Sequence, residues 1–307
     1  MKGIYAAIVT PVDARGEIDT ARLAAHARWL LAHGCHGIGL FGTTGEANSF
    51  TVAERRAALE ALLAAGIPGE RIILGVGCCA LGDTLALARH GLAVGVRRQL
   101  ALPPFFYKNV SEEGVFRAFA EFVERLADPS LELYLYHFPQ MTAVPITART
   151  IARLGERFPG ILRGIKDSSA DWPHTRGLIA EFEGLSIYSG ADGHLLDNLR
   201  AGGAGTISAA ANLACALSRR VFEAFCRGDQ EVAEREMRQL AAVRAALARH
   251  PMIPAVKGVI ADVLDDPAWA RVRPPLIELE PAAARALRRE LEGLGLELAS
   301  LPQAVGA

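Results

Sequence analysis

The 307-residue sequence has little excess charge of either sign: 33 Lys and Arg against 34 Asp and Glu give a formal net charge of −1 and a pI near 6.7. Phosphate-binding surfaces need a basic excess, so neither a nucleic-acid nor a membrane partner is expected. No run of about 18 or more apolar residues is free of charge, so no transmembrane helix is expected. The N-terminal Met1–Tyr5 stretch has one charge, and its apolar run breaks at Thr10-Pro11. That is too short for a signal-peptide core. Cys35, Cys78, Cys79, Cys215 and Cys226 form no C-x-x-C pair. An odd number of thiols without a framework spacing points to reduced cysteines and a cytoplasmic location. The eight histidines contain no H-x-x-x-H or H-E-x-x-H, so no metal is expected.

Apolar residues are abundant, at 51% of the chain against 22% charged, enough for a large core. Eight short β-branched or apolar runs are expected as strands: Ile4–Val9, Gly37–Phe41, Arg71–Val76, Gln99–Leu102, Leu131–Tyr136, Leu162–Lys166, Ser186–Ser189 and Gly205–Ser208. They start roughly every 20 to 35 residues, the spacing of βα units. They are apolar at consecutive positions, as parallel strands covered on both faces are. Helices are expected at Thr20–Ala32, at Thr51–Ala65 with a Thr51/Glu54 capping box, at Ser111–Ala127 and at Ala148–Phe158. The content predicts an α/β (β/α)8 TIM barrel, with a doubly wound sheet as the alternative. After Gly228 the strand pattern stops, and Asp229–Arg249, Ile253–Leu264 and Pro281–Gly293 read as helices. The expected organisation is a barrel over 1–228 and a C-terminal helical region over 229–307.

Active sites of such barrels lie at the C-terminal ends of the strands. Those ends carry Gly42-Thr43-Thr44-Gly45-Glu46, Tyr136-His137, Lys166-Asp167 and Ser189-Gly190. A lysine ending an apolar strand has a buried stem. Desolvation disfavours an ammonium, and a neutral amine condenses with a ketone. Pairing of Lys166 with Asp167 as a loop brace is the plainer alternative. Gly42, Thr43 and Thr44 offer hydroxyls and amides between glycines, suited to a carboxylate or to an ordinary polar turn. Tyr136 is a candidate proton relay, or a packed ring with an exposed hydroxyl. His137 alternates away from the mouth. Gly202-Gly203-Ala204-Gly205 precedes its strand and falls on the stability face. The aromatics of Pro103–Lys108 suit a pocket wall or a subunit contact.

Taken together, Ile8–Pro11, Gly42–Glu46, Tyr107, Tyr136 with Pro139, Gly164–Asp167, Ser189-Gly190 and Gly205–Ala209 resemble the dihydrodipicolinate synthase / N-acetylneuraminate lyase family of class I, pyruvate-dependent aldolases, over roughly residues 3 to 260. The resemblance implies that Lys166 forms an imine with a 2-oxo acid such as pyruvate. It implies that Thr44 and neighbouring amides hold the carboxylate, and that the Ile207 carbonyl faces it. It also implies that Tyr136 passes protons through Thr43 to Tyr107 of a neighbouring subunit, within a homotetramer. No cofactor is called for, because the iminium is the electron sink.

Two departures bear on the subgroup. Met141 stands where the synthases place a carboxylate-binding arginine. Gly193-His194 follows Asp192 where the lyases place an Asp-Glu pair. The activity expected is cleavage or formation of a C–C bond of a 2-keto-3-deoxy sugar acid or a 4-hydroxy-2-oxo acid. The alternatives are a dehydratase using the same imine, a dihydrodipicolinate synthase, or a non-enzymatic binder that kept the fold.

Overall fold

The computed structural model of the chain describes residues 2–298 and residue 301. Eight parallel strands close into a barrel in chain order: β1 (Gly3–Ala7), β2 (Gly37–Leu40), β3 (Ile72–Gly75), β4 (Arg98–Ala101), β5 (Glu132–His137), β6 (Leu162–Asp167), β7 (Ser186–Ser189) and β8 (Gly205–Ser208). Closure is carried by the β1–β8 ladder, Gly3↔Gly205 to Ala6↔Ser208. The architecture is thus the expected TIM barrel and not an open doubly wound sheet.

Around it, in chain order, lie α1 (Thr20–Ala32), α2 (Val52–Ala64), α3 (Leu81–Ala93), α4 (Glu112–Leu126), the short α5 (Pro139–Thr142) and α6 (Ala148–Arg157). There follow α7 (Trp172–Glu181), α8 (Leu195–Arg200), α9 (Ala211–Cys226), α10 (Gln230–Ala248), α11 (Met252–Leu264) and α12 (Pro281–Gly293). Local chemistry explains the starts. Thr51 and Glu54 form a reciprocal capping box on α2, and Ser111 accepts from the Gly114 amide on α4. Helices α3, α8 and α9 open on Ala80, His194 and Ala210 without a side-chain cap, so cap signals do not mark them in the sequence.

Two apolar layers result. Ile4, Ile38, Leu40, Leu135 and Ile165 point outward into the layer shared with the helices. Tyr5, Ile73, Leu100, Tyr134, Tyr136, Tyr188 and Ile207 fill the barrel itself. Tyr5 and Tyr188 meet edge-on at 5.6 Å, and Tyr134 lies 6.3 Å from Tyr188. Burial pushes Tyr134 up to about 12 and raises Tyr188, so this plug is neutral at ordinary pH.

The β5–β6 register shifts between Leu133 and Tyr134: Leu133 pairs with Leu162, but Tyr134 pairs with Gly164, skipping Arg163. The irregularity sets the pairs Tyr136↔Lys166 and His137↔Asp167 that follow. Gly164 has to be small, because a Cβ there would lie 2.8 Å from the Tyr134 ring and 2.3 Å from the Ser186 carbonyl.

The helices after Gly228 return to the barrel mouth. α10 packs along α9, and α11 carries Lys257 down to the loop after β2. Arg273, after α11, donates its amide to Glu46 (2.9 Å). Its side chain donates to the Gly16 carbonyl (2.7 Å), the Ser49 carbonyl (2.6 Å) and Glu54.

Candidate active site

A cavity of about 560 Å³ opens at the C-terminal ends of the strands. Its wall includes Thr43, Thr44, Tyr136, Lys166, Ser168, Gly190 and Ile207. The strand ends singled out in the sequence therefore converge on one space.

Lys166 is 3% exposed, and its Nζ lies 4.2 Å from the centroid of the Tyr136 ring, its register partner across the ladder. A cation over a ring face is attracted by the quadrupole, while a free amine there keeps its lone pair for a ligand. The plainer alternative, a Lys166–Asp167 brace, is not what forms. Successive strand residues point to opposite faces, and Asp167 faces the helices. Its Oδ2 accepts from Thr175 (2.7 Å) and His174 Nδ1 (2.9 Å), and its Oδ1 from the Ser169 amide (2.9 Å). Burial raises the Asp167 carboxyl, but those hydrogen bonds outweigh it and hold the group below the usual carboxylate range.

His137 likewise faces outward, as its alternation predicts. Its Nδ1 accepts from the Ile146 amide at 3.1 Å, and its ring stacks on His174 at 4.7 Å. His137, Asp167 and His174 are the one trio of metal-type ligands among the described residues. Both Asp167 oxygens and the His137 Nδ1 are already hydrogen-bonded, so the trio fits a brace of β5 and β6 against α7 better than an ion site.

The Tyr136 hydroxyl and Thr43 Oγ1 lie 3.2 Å apart, a hydrogen bond in which either donates. Thr43 belongs to a tight loop bracketed by two non-glycine residues in the left-handed region, Phe41 (φ 56°) and Glu46 (φ 54°). Gly42 is buried and is not among the residues lining the cavity. Its carbonyl accepts from the Gly45 (3.1 Å) and Ala47 (3.3 Å) amides, closing the turn. The Thr43 and Thr44 amides donate to no protein acceptor among the described residues, which leaves two N–H groups beside the cavity.

Left-handed non-glycine residues cost about 1–3 kcal/mol each and persist only when the surroundings over-determine them. Here Glu46 is held by Lys257 Nζ (2.8 Å) and by the Arg273 amide (2.9 Å), with Lys257 and Glu46 side chains both 0% exposed. Lys257 also donates to the Thr10 carbonyl (2.9 Å), and the Thr10 hydroxyl donates to the Gly45 carbonyl (2.8 Å). Burial pushes the Lys257 ammonium down, partly offset by the Glu46 carboxylate.

Two residues of the Pro103–Lys108 loop lie outside the cavity wall. Tyr107 is 74% exposed and packs its edge on Phe106 at 5.4 Å, outside the cavity of its own chain. Lys108 donates to the Phe105 and Thr142 carbonyls, which makes it a pin between two loops. Conversely, Arg244, Pro251, Met252, Ile253, Pro254 and Leu276 join the wall from the C-terminal region. Nothing in the local sequence separates Arg244 from the other arginines of its polar helix. Beside it, Asp192 is buried, and its Oδ1 accepts from the Ser208 hydroxyl. Burial raises this carboxyl above its usual range against the opposing pull of Ser208 and Arg244.

A profile of the dihydrodipicolinate synthetase family matches residues 1–294. The chain is 38% identical over 293 residues to the uncharacterized DapA-like lyase of Chloroflexus aurantiacus, covering 95% of this chain and 96% of that one. It is 31% identical to the 4-hydroxy-tetrahydrodipicolinate synthase of Methanopyrus kandleri, over 96% and 97% of the two chains. Among solved structures, dihydrodipicolinate synthase from Agrobacterium tumefaciens superposes with a TM-score of 0.85 at 32% identity, covering 96% of this chain and 99% of that one. YagE of E. coli K12, a prophage protein of the dihydrodipicolinic acid synthase family solved in complex with pyruvate, gives 0.88 at 25%, covering 97% and 99%. With the closed barrel and the match over nearly its whole length, the chain belongs to the dihydrodipicolinate synthetase family and is a lyase of the class I aldolase type.

Proposed function

We propose that the protein cleaves or forms a C–C bond of a 4-hydroxy-2-oxo acid or a 2-keto-3-deoxy sugar acid, with pyruvate as product or donor and Lys166 as the nucleophile. The observation that carries this reading is the line of groups in one cavity. Lys166 Nζ lies 4.2 Å from the Tyr136 ring, and the Tyr136 hydroxyl is 3.2 Å from Thr43 Oγ1. The pyruvate bound to the related YagE supports the choice of 2-oxo acid.

In the cleavage direction, Lys166 Nζ adds to the C2 carbonyl and water leaves, forming an iminium. The C3–C4 bond breaks, and its electron pair flows to the iminium nitrogen as an enamine. Tyr136, left as a phenolate when it gave its proton to the departing water, takes the C4 hydroxyl proton on that oxygen, and the aldehyde departs. C3 then takes a proton, and water hydrolyses the imine to free pyruvate and Lys166. Tyr136 relays protons through Thr43. Thr44, the Thr43 and Thr44 amides and the turn closed by Gly42 hold the C1 carboxylate, and the Ile207 carbonyl faces it. The iminium polarises the bond, so this route calls for no cofactor. The exposed Phe106 and Tyr107 suit a contact with a second copy, consistent with a homotetramer in which Tyr107 extends the relay across the interface. Met141 in the wall offers no charge to a second carboxylate, which disfavours the dihydrodipicolinate synthase reaction.

The test is intact-mass spectrometry after borohydride reduction in the presence of pyruvate. A reduced pyruvyl adduct is expected on wild type and not on Lys166→Ala, which should stay folded but inactive. An adduct of equal yield on Lys166→Ala, or none on wild type, rejects the mechanism.

A further inference from the structure

The imine chemistry leaves one charged wall residue unused. Among the described residues lining the cavity, the charged side chains are Lys166 and Arg244, and none is a carboxylate. Arg244 reaches the cavity from α10 with its side chain about one-third exposed. Its guanidinium is tethered but not saturated. Among the described residues the nearest carboxylate oxygen, Asp192 Oδ2, is 3.9 Å from Nε, beyond hydrogen-bonding distance, and the buried Nη1 has no hydrogen-bond partner. Asp192 is buried, and its Oδ2 likewise has no hydrogen-bond partner among the described residues.

The surroundings sharpen the choice of ligand. Phe138, Met141, Met252, Ile253, Pro254 and Leu276 give much of the wall an apolar character. Such a wall offers few partners to a chain of hydroxyls. It also lowers the local dielectric, which strengthens attraction between a guanidinium and an anion. A guanidinium presents several N–H donors in a fixed plane, matched to carboxylate or phosphate oxygens. The cavity is larger than a three-carbon acid needs. The C1 carboxylate already has its cradle at Thr43 and Thr44, so Arg244 is free for a second acidic group.

We propose that Arg244 receives an anionic group at the far end of the substrate, so that the site takes 2-oxo acids bearing a second carboxylate or a phosphate. This rests on the imine reading above for the near end of the site. It narrows the substrate class away from uncharged sugar acids, and it draws the specificity-determining cation from the C-terminal helices and not from α5.

The test compares wild type and Arg244→Gln in aldol addition of pyruvate to glyoxylate, succinic semialdehyde, glyceraldehyde 3-phosphate and neutral glycolaldehyde. Hydrogen bonds to charged groups are worth about 1.5–3 kcal/mol, so the variant should lose roughly 10- to 100-fold in kcat/KM on the anionic aldehydes. On glycolaldehyde it should change by no more than about threefold. Labelling by pyruvate and borohydride should be retained. The aldehyde most affected tells carboxylate from phosphate. Calorimetric binding of glutarate against butyrate reads the same preference without any imine, and the advantage of glutarate should vanish in Arg244→Gln. Equal losses on charged and neutral aldehydes, or glutarate bound no tighter than butyrate by wild type, overturn the assignment. If wild type fails to label with pyruvate but keeps the glutarate preference, the imine reading falls and Arg244 stands.

Discussion

Replacing Lys257 by Met should unseat the loop that carries Thr43 and Thr44, although Lys257 is not in the cavity wall. The substitution keeps length and shape but removes the ammonium that donates to Glu46 Oε1 at 2.8 Å and to the Thr10 carbonyl at 2.9 Å. Both side chains of the pair are fully buried, so Glu46 is left as a carboxylate with one remaining donor among the described residues, the Arg273 amide. Breaking such a pair from one side costs about 3–5 kcal/mol. Release of the left-handed Glu46 returns some of that by letting the loop relax, at the expense of its shape. A total stability on the order of 5–15 kcal/mol would drop by a large fraction. At roughly 2–4 °C per kcal/mol, the melting temperature should fall by about 10 °C. The functional signature should be a rise in KM for pyruvate, because the displaced amides belong to the carboxylate cradle. Calorimetric melting and pyruvate kinetics on Lys257→Met and on Lys257→Met/Glu46→Gln check this. The double variant removes the stranded charge and should recover part of the stability. A single variant that melts within about 2 °C of wild type would mean that the pair is not what holds the loop.

Three further outcomes follow from the geometry. Tyr136→Phe keeps the ring beside Lys166 but removes the hydroxyl bonded to Thr43, so turnover should fall about 10²- to 10⁴-fold with borohydride labelling slowed in parallel; steady-state kinetics near wild type would remove Tyr136 from the relay. His26 is buried between Trp29 and Trp269, donates Nε2–H to Asn212 Oδ1 and has no acceptor among the described residues for a second proton at Nδ1, and burial lowers it to about 4. The unfolded chain binds that proton near pH 6.5 and the folded chain only near 4, so stability is full above 6.5 and declines as pH falls towards 4, by about 3 kcal/mol at most; denaturant titrations across that window should show a shallower slope for His26→Gln, and an identical slope would assign the loss to other groups. Met141→Arg adds a guanidinium to a wall that already carries Lys166 and Arg244 and should raise affinity for acidic aldehydes, which competition assays would read; an unchanged acceptor preference would place residue 141 out of contact with the acceptor.

Much of the site was legible because its carriers sit at strand ends, where a polar residue after an apolar run stands out. Lys166, Tyr136 and the Gly42–Glu46 loop are of this kind, and all lie at the barrel mouth. Tyr107 has the right neighbours in sequence, but in the chain taken alone it points to solvent, and residue type cannot say whose site it serves. Glu46 reads locally as an ordinary polar partner, because the lysine that pairs with it lies 211 residues away.

Composition and periodicity by themselves determined the alternation of strand and helix, the balance of charge and the side of the barrel on which chemistry could sit, because these follow from local propensity and from the two-residue repeat of a strand. Tertiary structure decided the rest. The register shift past Arg163 sets Tyr136 opposite Lys166, the closure of β8 on β1 converts eight strand ends into one mouth, and the packing of α10 and α11 brings Arg244 and Lys257 to it. Each depends on contacts between residues far apart in the chain, whose energies come from burial and pairing that no single segment contains.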